Sequence, residues 1–197
     1  MSTINVPTNS VQCETRAQWR SWLATNHDRD EGVWLVTFKK ASNRPSVGYD
    51  ASVEEALCYG WIDSRSNSLD NERSMLWFAP RRKGSNWSKS NKDRVAKLTK
   101  AGLMMPPGIV KVEAAKRDGT WTALDAIERL EIPPDLADAF GDYPGSSRNF
   151  DAFPRRVKRA TLEWIFTAKR PATRKRRIVE TAHLAQENEL PKQFRSN

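Results

Sequence analysis

A chain of 197 residues with 38% hydrophobic and 29% charged side chains can bury a core, and no run approaches the roughly 18 apolar residues of a membrane span. Its net charge of +9 points to anionic partners such as nucleic acid, phosphorylated ligands or an acidic membrane surface. Two cysteines and two histidines exclude a disulfide framework and any zinc site of linked Cys and His pairs. The first residues, MSTINVPTNSVQ, have neither a basic segment nor an apolar one, so no secretory signal is expected and the cytoplasm is the expected compartment.

In chain order, Thr15 and Gln18 form a capping box, and Trp19, Trp22 and Leu23 share one helical face, which predicts a helix over 15–25. Val33 to Lys39 is β-branched and aromatic and reads as a buried strand. Ser52 and Glu55 form a second capping box, expected to open a short helix. The runs 62–69 and 74–79 bracket Asp70, Asn71 and Glu72 as a hairpin. From residue 88 the pattern turns helical. Ser90 and Asp93 open one helix, a second runs from Ile109 to Gly119, and Pro133 and Pro134 start a third that Gly141 ends. Asp142 to Ser147 (DYPGSS) reads as a linker. Val157, Ala160, Thr161, Trp164 and Ile165 then repeat at helical spacing, and Pro171 begins a last helix. The expected fold class is α+β: a small antiparallel sheet packed with helices over 1–141, then a helical module over 148–190.

The charge is unevenly spread. Residues 1–70 carry −2, 71–118 carry +8, 119–154 carry −5 and 155–197 carry +8. Acidic and basic blocks either dock on each other within the fold or leave the basic ones for a partner. In the first basic block Arg81, Arg82, Lys83 and Lys89 surround Gly84, Ser85, Asn86 and Trp87. Arginines can grip phosphate bidentately, Ser85 and Asn86 can add hydrogen bonds, and Trp87 offers either a stacking ring or a core anchor. In the second, Arg155, Arg156, Lys158 and Arg159 crowd one helix start, and Arg174, Lys175, Arg176 and Arg177 the next. A helix N-terminus prefers anions, so these cations need compensation from an external anion or from internal partners such as Glu163 and Glu180.

Four strings, EALCYGWIDS (55–64), FAPRRKGSNWSKSN (78–91), GLMMPPG (102–108) and AKRPATRKRRI (168–178), resemble the YdeI/OmpD-associated, or bacteriocin-protection, family. The likeness runs from about Trp19 to about Leu184. It implies an N-terminal part similar to the YjbR/CyaY-like α+β fold, a helical OmpD-associated module after it, and a link to tolerance of antimicrobial peptides or stress. It supplies no catalytic residue.

Cys58, with His27 as base and Asp63 as orienter, would be a nucleophile arrangement, but its place among Leu57, Tyr59, Trp61 and Ile62 reads as a small core hydrophobe. No catalytic residue, metal ligand set or cofactor motif stands out, and GxxxxGK[ST] and GxGxxG are absent. The leading expectation is a non-enzymatic basic protein that binds an anionic partner, DNA or RNA first, although no helix-turn-helix, RNP or zinc-finger signature supports it. One alternative is an enzyme or small-molecule binder with a pocket between sheet and helices, formed by Lys39, Cys58, Trp61, Asp63, Trp77 and Arg81. The other is a peripheral binder of anionic surfaces or a protein adaptor.

Overall fold

A computed structural model describes residues 6–191. The chain divides into two compact units, Met1–Ala123 and Leu124–Asn197. The first is the α+β part. Its strands β1 (Ser10–Gln12), β2 (Val33–Phe38), β3 (Trp61–Ser68) and β4 (Arg73–Pro80) form one sheet in the order β1-β2-β4-β3. The β3–β4 hairpin and the β2–β4 pair are antiparallel as expected, whereas β1 joins β2 in parallel and makes the sheet mixed. Helices α1 (Arg16–Asn26), α2 (Tyr49–Cys58), α3 (Lys89–Lys100) and α4 (Pro106–Asp118) complete the unit.

The core joins Val33, Leu35, Trp61 and Phe78 of the sheet to Trp19 and Leu23 of α1, Leu57 of α2, Val95 and Leu98 of α3, and Val112 of α4. Buried indoles need a partner for their N–H. Trp19 donates to the Ser52 carbonyl and Trp61 to the His27 carbonyl, both at 3.0 Å. The Thr15 capping box forms in full. The expected Ser52 box does not. Gly48, at φ 72°, stands at the N-cap and lets α2 begin four residues earlier, so Ser52 lies inside the helix and donates to the Tyr49 carbonyl. Likewise Ser88 rather than Ser90 caps α3 by accepting from the Asn91 amide, and α4 starts at Pro106 because proline suits the first helical position.

Three of the four strings that carried the family resemblance meet in this unit. β3 and β4 hold WIDS against FAP, with Asp63 paired to Phe78 and Trp61 to Pro80. The GLMMPPG turn then closes on the end of α2, where the Met105 amide donates to the Cys58 carbonyl at 3.1 Å. Gly108 lies directly on that carbonyl.

The second unit is helical: α5 (Asp125–Glu128), α6 (Pro134–Asp142), α7 (Ser146–Ala152), α8 (Arg155–Phe166) and α9 (Pro171–Gln186). Its own core gathers Leu136, Phe140, Phe150, Leu162, Ile165, Ile178 and Ala182. The stretch expected as a linker is the short turn from α6 into α7, where Gly145 in the left-handed conformation (φ 85°) caps the new helix. Gly141 does not end α6, which continues through Asp142.

A Cβ at Gly108 would stand 2.3 Å from the Cys58 oxygen, a backbone atom that cannot swing aside. Gly108→Ala should therefore force α4 off α2 and cost about 1–3 kcal/mol in the first unit, measured by denaturation against wild type. A loss within about 0.3 kcal/mol would show that the contact yields easily.

Candidate functional site

Arg81 follows β4, and its amide donates to the Gly60 carbonyl at 2.9 Å. That bond fixes the backbone, and the side chain turns inward. Its guanidinium lies 3.7 Å from the centre of the Trp87 ring, and Nη1 donates to the Asn86 carbonyl at 2.9 Å. Only 2% of the residue is exposed, yet Nε and Nη2 have no acceptor among the described residues. Burial pushes the guanidinium down to about 10, and the charge of Asp63 only partly opposes this. Because the folded state holds this proton less tightly than the unfolded one, the charge subtracts from stability at neutral pH.

Two cavities adjoin Arg81. One of about 520 Å³ is lined by Arg81, Arg82, Lys83, Lys111 and Trp77, with Asp30 and Glu31 also on its wall. The other, about 190 Å³, is lined by Arg81, Arg82, Lys83, Gly84, Ser85, Trp87 and Lys111, with Asp118. Arg82 and Lys83 are exposed and Lys111 is half-buried. Lys111 belongs to α4, and sequence reading missed it. The signal was indirect, because only the closure of GLMMPPG on Cys58 brings α4 alongside residues 81–83.

The other expected residues of this loop have internal roles. Ser85 donates to the Arg82 carbonyl at 2.7 Å, Asn86 offers its carbonyl to Arg81, and Lys89 pairs with Asp93 at 2.6 Å. Trp87 is 1% exposed, covered by Arg81 and by Trp121 at 5.0 Å, so it is a core anchor with no ring surface for an incoming base.

The residues expected to form one pocket are divided. Cys58 and Trp61 are fully buried core residues. Burial raises the Cys58 thiol pKa, as does the Glu55 charge, while Arg20 opposes both, which leaves a thiol unsuited to nucleophilic attack. Trp77 forms an edge contact with Trp34 at 5.2 Å and lines the cavity beside Arg81. Lys39 and Asp63 do line one open cavity of about 760 Å³ together with Tyr49, which sequence reading also missed. Tyr49 donates to Asp63 Oδ2 at 2.9 Å, and Lys39 Nζ donates to Ser68 Oγ at 2.9 Å and the Asp70 carbonyl at 2.6 Å.

In the second unit the crowded cations find compensation within the chain. Arg159 reaches Glu128 at 2.8 Å and Glu163 at 2.9 Å. Arg174 grips Asp135 with two bonds, of 2.7 and 2.9 Å. Arg155 donates to the Glu128 carbonyl at 2.6 Å, and Arg177 donates to the Trp164 carbonyl and stacks on the Trp164 ring. Arg156 and Lys175 are exposed. Glu128 and Asp135, ahead of α8, thus serve Arg159 and Arg174, and for these two arginines no external anion is needed.

Two family models match the chain. Residues 11–111 match a domain of unknown function (DUF8412), and residues 129–188 match the family described as bacteriocin-protection, YdeI or OmpD-associated. The first covers just over half of the 197 residues, and the chain belongs to that family; the second match identifies a YdeI/OmpD-associated domain in the helical unit. The N-terminal match is to this domain of unknown function and not to the expected YjbR/CyaY-like fold. No curated protein and no solved structure matches the chain.

The hydrogen bonds from Arg174 hold the Asp135 carboxyl below the usual carboxylate range. A lowered acid contributes stability above its unfolded pKa of about 3.9 and loses it as pH falls through the folded value. Both partners are partly exposed, so Arg174→Ala should cost only about 0.5–1 kcal/mol at neutral pH, and wild type and variant should converge near pH 2. Denaturation at the two pH values measures this. An equal gap at both would assign the effect to packing.

Proposed function

We propose that the first unit is a non-enzymatic anion-binding module that takes phosphate groups through Arg81, Arg82, Lys83 and Lys111, with nucleic acid as the partner. The observation that carries this reading is the buried Arg81 guanidinium whose Nε and Nη2 lack an acceptor among the described residues. Such groups are costly to leave unmade, and a phosphate oxygen accepts from Arg with a charge-assisted bond of about twice the neutral strength. Arg82, Lys83 and Lys111 line the same two cavities and would spread the contact over further phosphate oxygens. Residues 1–123 carry a net +6, which favours encounter with a polyanion. Trp77, half-buried beside Arg81, replaces Trp87 as the ring that a base would meet.

The second basic block takes no direct part in this reading, since Arg155, Arg159, Arg174 and Arg177 serve their own unit. The bacteriocin-protection description of the family that residues 129–188 match fits a role in stress tolerance.

The test follows from the cost of the charge. Arg81→Met replaces an uncompensated buried cation by an apolar side chain of similar length, so it should leave stability in anion-free buffer unchanged or raised. The same change should abolish the stabilisation that phosphate gives to wild type. With labelled oligonucleotides, affinity should fall with salt at a log–log slope of about −3 to −4, as expected for four phosphate contacts. Arg82→Ala with Lys83→Ala should weaken binding evenly across sequences, and Trp77→Ala should cost about 1–3 kcal/mol. Arg174→Ala should leave binding intact. Equal oligonucleotide affinities for wild type and the Arg82/Lys83 variant would contradict the proposal.

A further inference from the structure

The cavity of about 760 Å³ on the helix-bearing face of the sheet is separate in chemistry from the Arg81 loop, and the strand register explains it. Across β2, β4 and β3 the residues facing the helices form successive rows. Val33, Phe78 and Asp63 make the first, Leu35, Leu76 and Ser66 the second, and Thr37, Ser74 and Ser68 the third. On β2 and β4 the rows grade from apolar to hydroxylic within three steps, while β3 contributes Asp63, Ser66 and Ser68. Val33 and Phe78 are in the core, while β3 beyond Asp63 is exposed, so the helical layer leaves the third row and part of the second uncovered.

Polar residues share the walls with Phe38, Met75 and Leu76. Residues Lys39, Lys40, Arg44 and Ser46 form one side, and the start of α2, with Tyr49 and Ser52, forms another. Lys40 is exposed. Opposite the cations, Asp63 accepts from Tyr49 through Oδ2, and Oδ1 accepts no bond among the described residues. Tyr49 is 57% exposed, an aromatic face at the mouth. The volume lies within the roughly 300–1,000 Å³ of small-molecule sites. One end carries Lys39, Lys40 and Arg44, the last also paired with Glu14 at 3.7 Å; the floor carries Thr37, Ser66 and Ser74 beside Leu35 and Leu76; and Asp63 Oδ1 is open to a donor.

We infer that this cavity binds a monosaccharide bearing one acidic group. The acidic group meets Lys39, Lys40 and Arg44, the ring hydroxyls exchange hydrogen bonds with Thr37, Ser66 and Ser74, one hydroxyl donates to Asp63 Oδ1, and the sugar face lies on Tyr49. A hydroxyl is donor and acceptor at once, and so are the serines and threonine of the floor, which is why a polyol fits it better than a plain acid.

The experiment titrates the full chain with glucuronate, glucose 6-phosphate, glucose and inorganic phosphate, following amide resonances of β2, β3, β4 and α2. Glucuronate or glucose 6-phosphate should bind saturably and shift residues lining the cavity, with glucose at least about tenfold weaker. Ser66→Val, which replaces a floor hydroxyl by an apolar group, and Lys40→Ala should each weaken that binding about tenfold. Stabilisation by inorganic phosphate through Arg81 should persist in Ser66→Val, so the two sites fail or stand separately. Absence of saturable binding of both sugar acids at millimolar concentration would overturn the inference. So would shifts confined to residues 81–87, or affinities unchanged in both variants.

Discussion

The arrangement of the first unit turns on a buried cation that the chain does not neutralise. The Arg81 backbone is held by the Gly60 carbonyl at the end of the β3–β4 ladder, and its guanidinium is pressed on Trp87 at 3.7 Å. Trp87 in turn belongs to the core that joins the sheet to α3 and α4. Removing the guanidinium from water while leaving Nε and Nη2 without acceptors opposes folding, and the surrounding apolar burial has to exceed that cost. Buried ionic groups kept at such a cost are retained where a ligand or a specific structure needs them.

The contrast with the other buried ionic groups sharpens the point. Glu54 and Glu55 of α2 are 6% and 2% exposed, but Arg16, Arg20 and Lys97 reach them at 2.5–2.9 Å. Burial alone would raise the Glu54 carboxyl, yet Lys97 and Arg16 together hold it lowered. Arg159 and Arg174 of the second unit likewise meet Glu128, Asp135 and Glu163. Among the buried charged residues described, Arg81 stands out because Asp63 acts on it through space without a bond.

Local signals made much of the fold legible. The Thr15 capping box, the VWLVTF run, the hairpin around Asp70–Glu72 and the αL glycine at 119 each act within a few residues, and each took the form its residues dictate. What sequence reading missed depends on long-range packing. β1 is three residues, SVQ, with no alternation to mark it, and it becomes a strand only because β2 offers an edge. The Ser52 box competed with Gly48, whose positive φ suits an earlier start. For the site, charge density identified residues 81–83, but it could not separate a buried arginine from its exposed neighbours, nor show that Asp135 would claim Arg174. Trp87 sits in a basic string and looks like a ligand platform until the core around it is known. The polar cavity escaped notice because a row such as Thr37, Ser74 and Ser68 exists only in register, from three separated segments.

The central claim is that the unpartnered Nε and Nη2 of Arg81 await an anion, and the Arg81 Nε–H resonance reports on this directly. With inorganic phosphate added at low ionic strength, the account predicts that this signal moves saturably downfield and exchanges more slowly with water, as a hydrogen bond to a phosphate oxygen requires. An Nε–H signal unmoved at saturating phosphate, while the resonances of Arg82 or Lys83 shift, would contradict it.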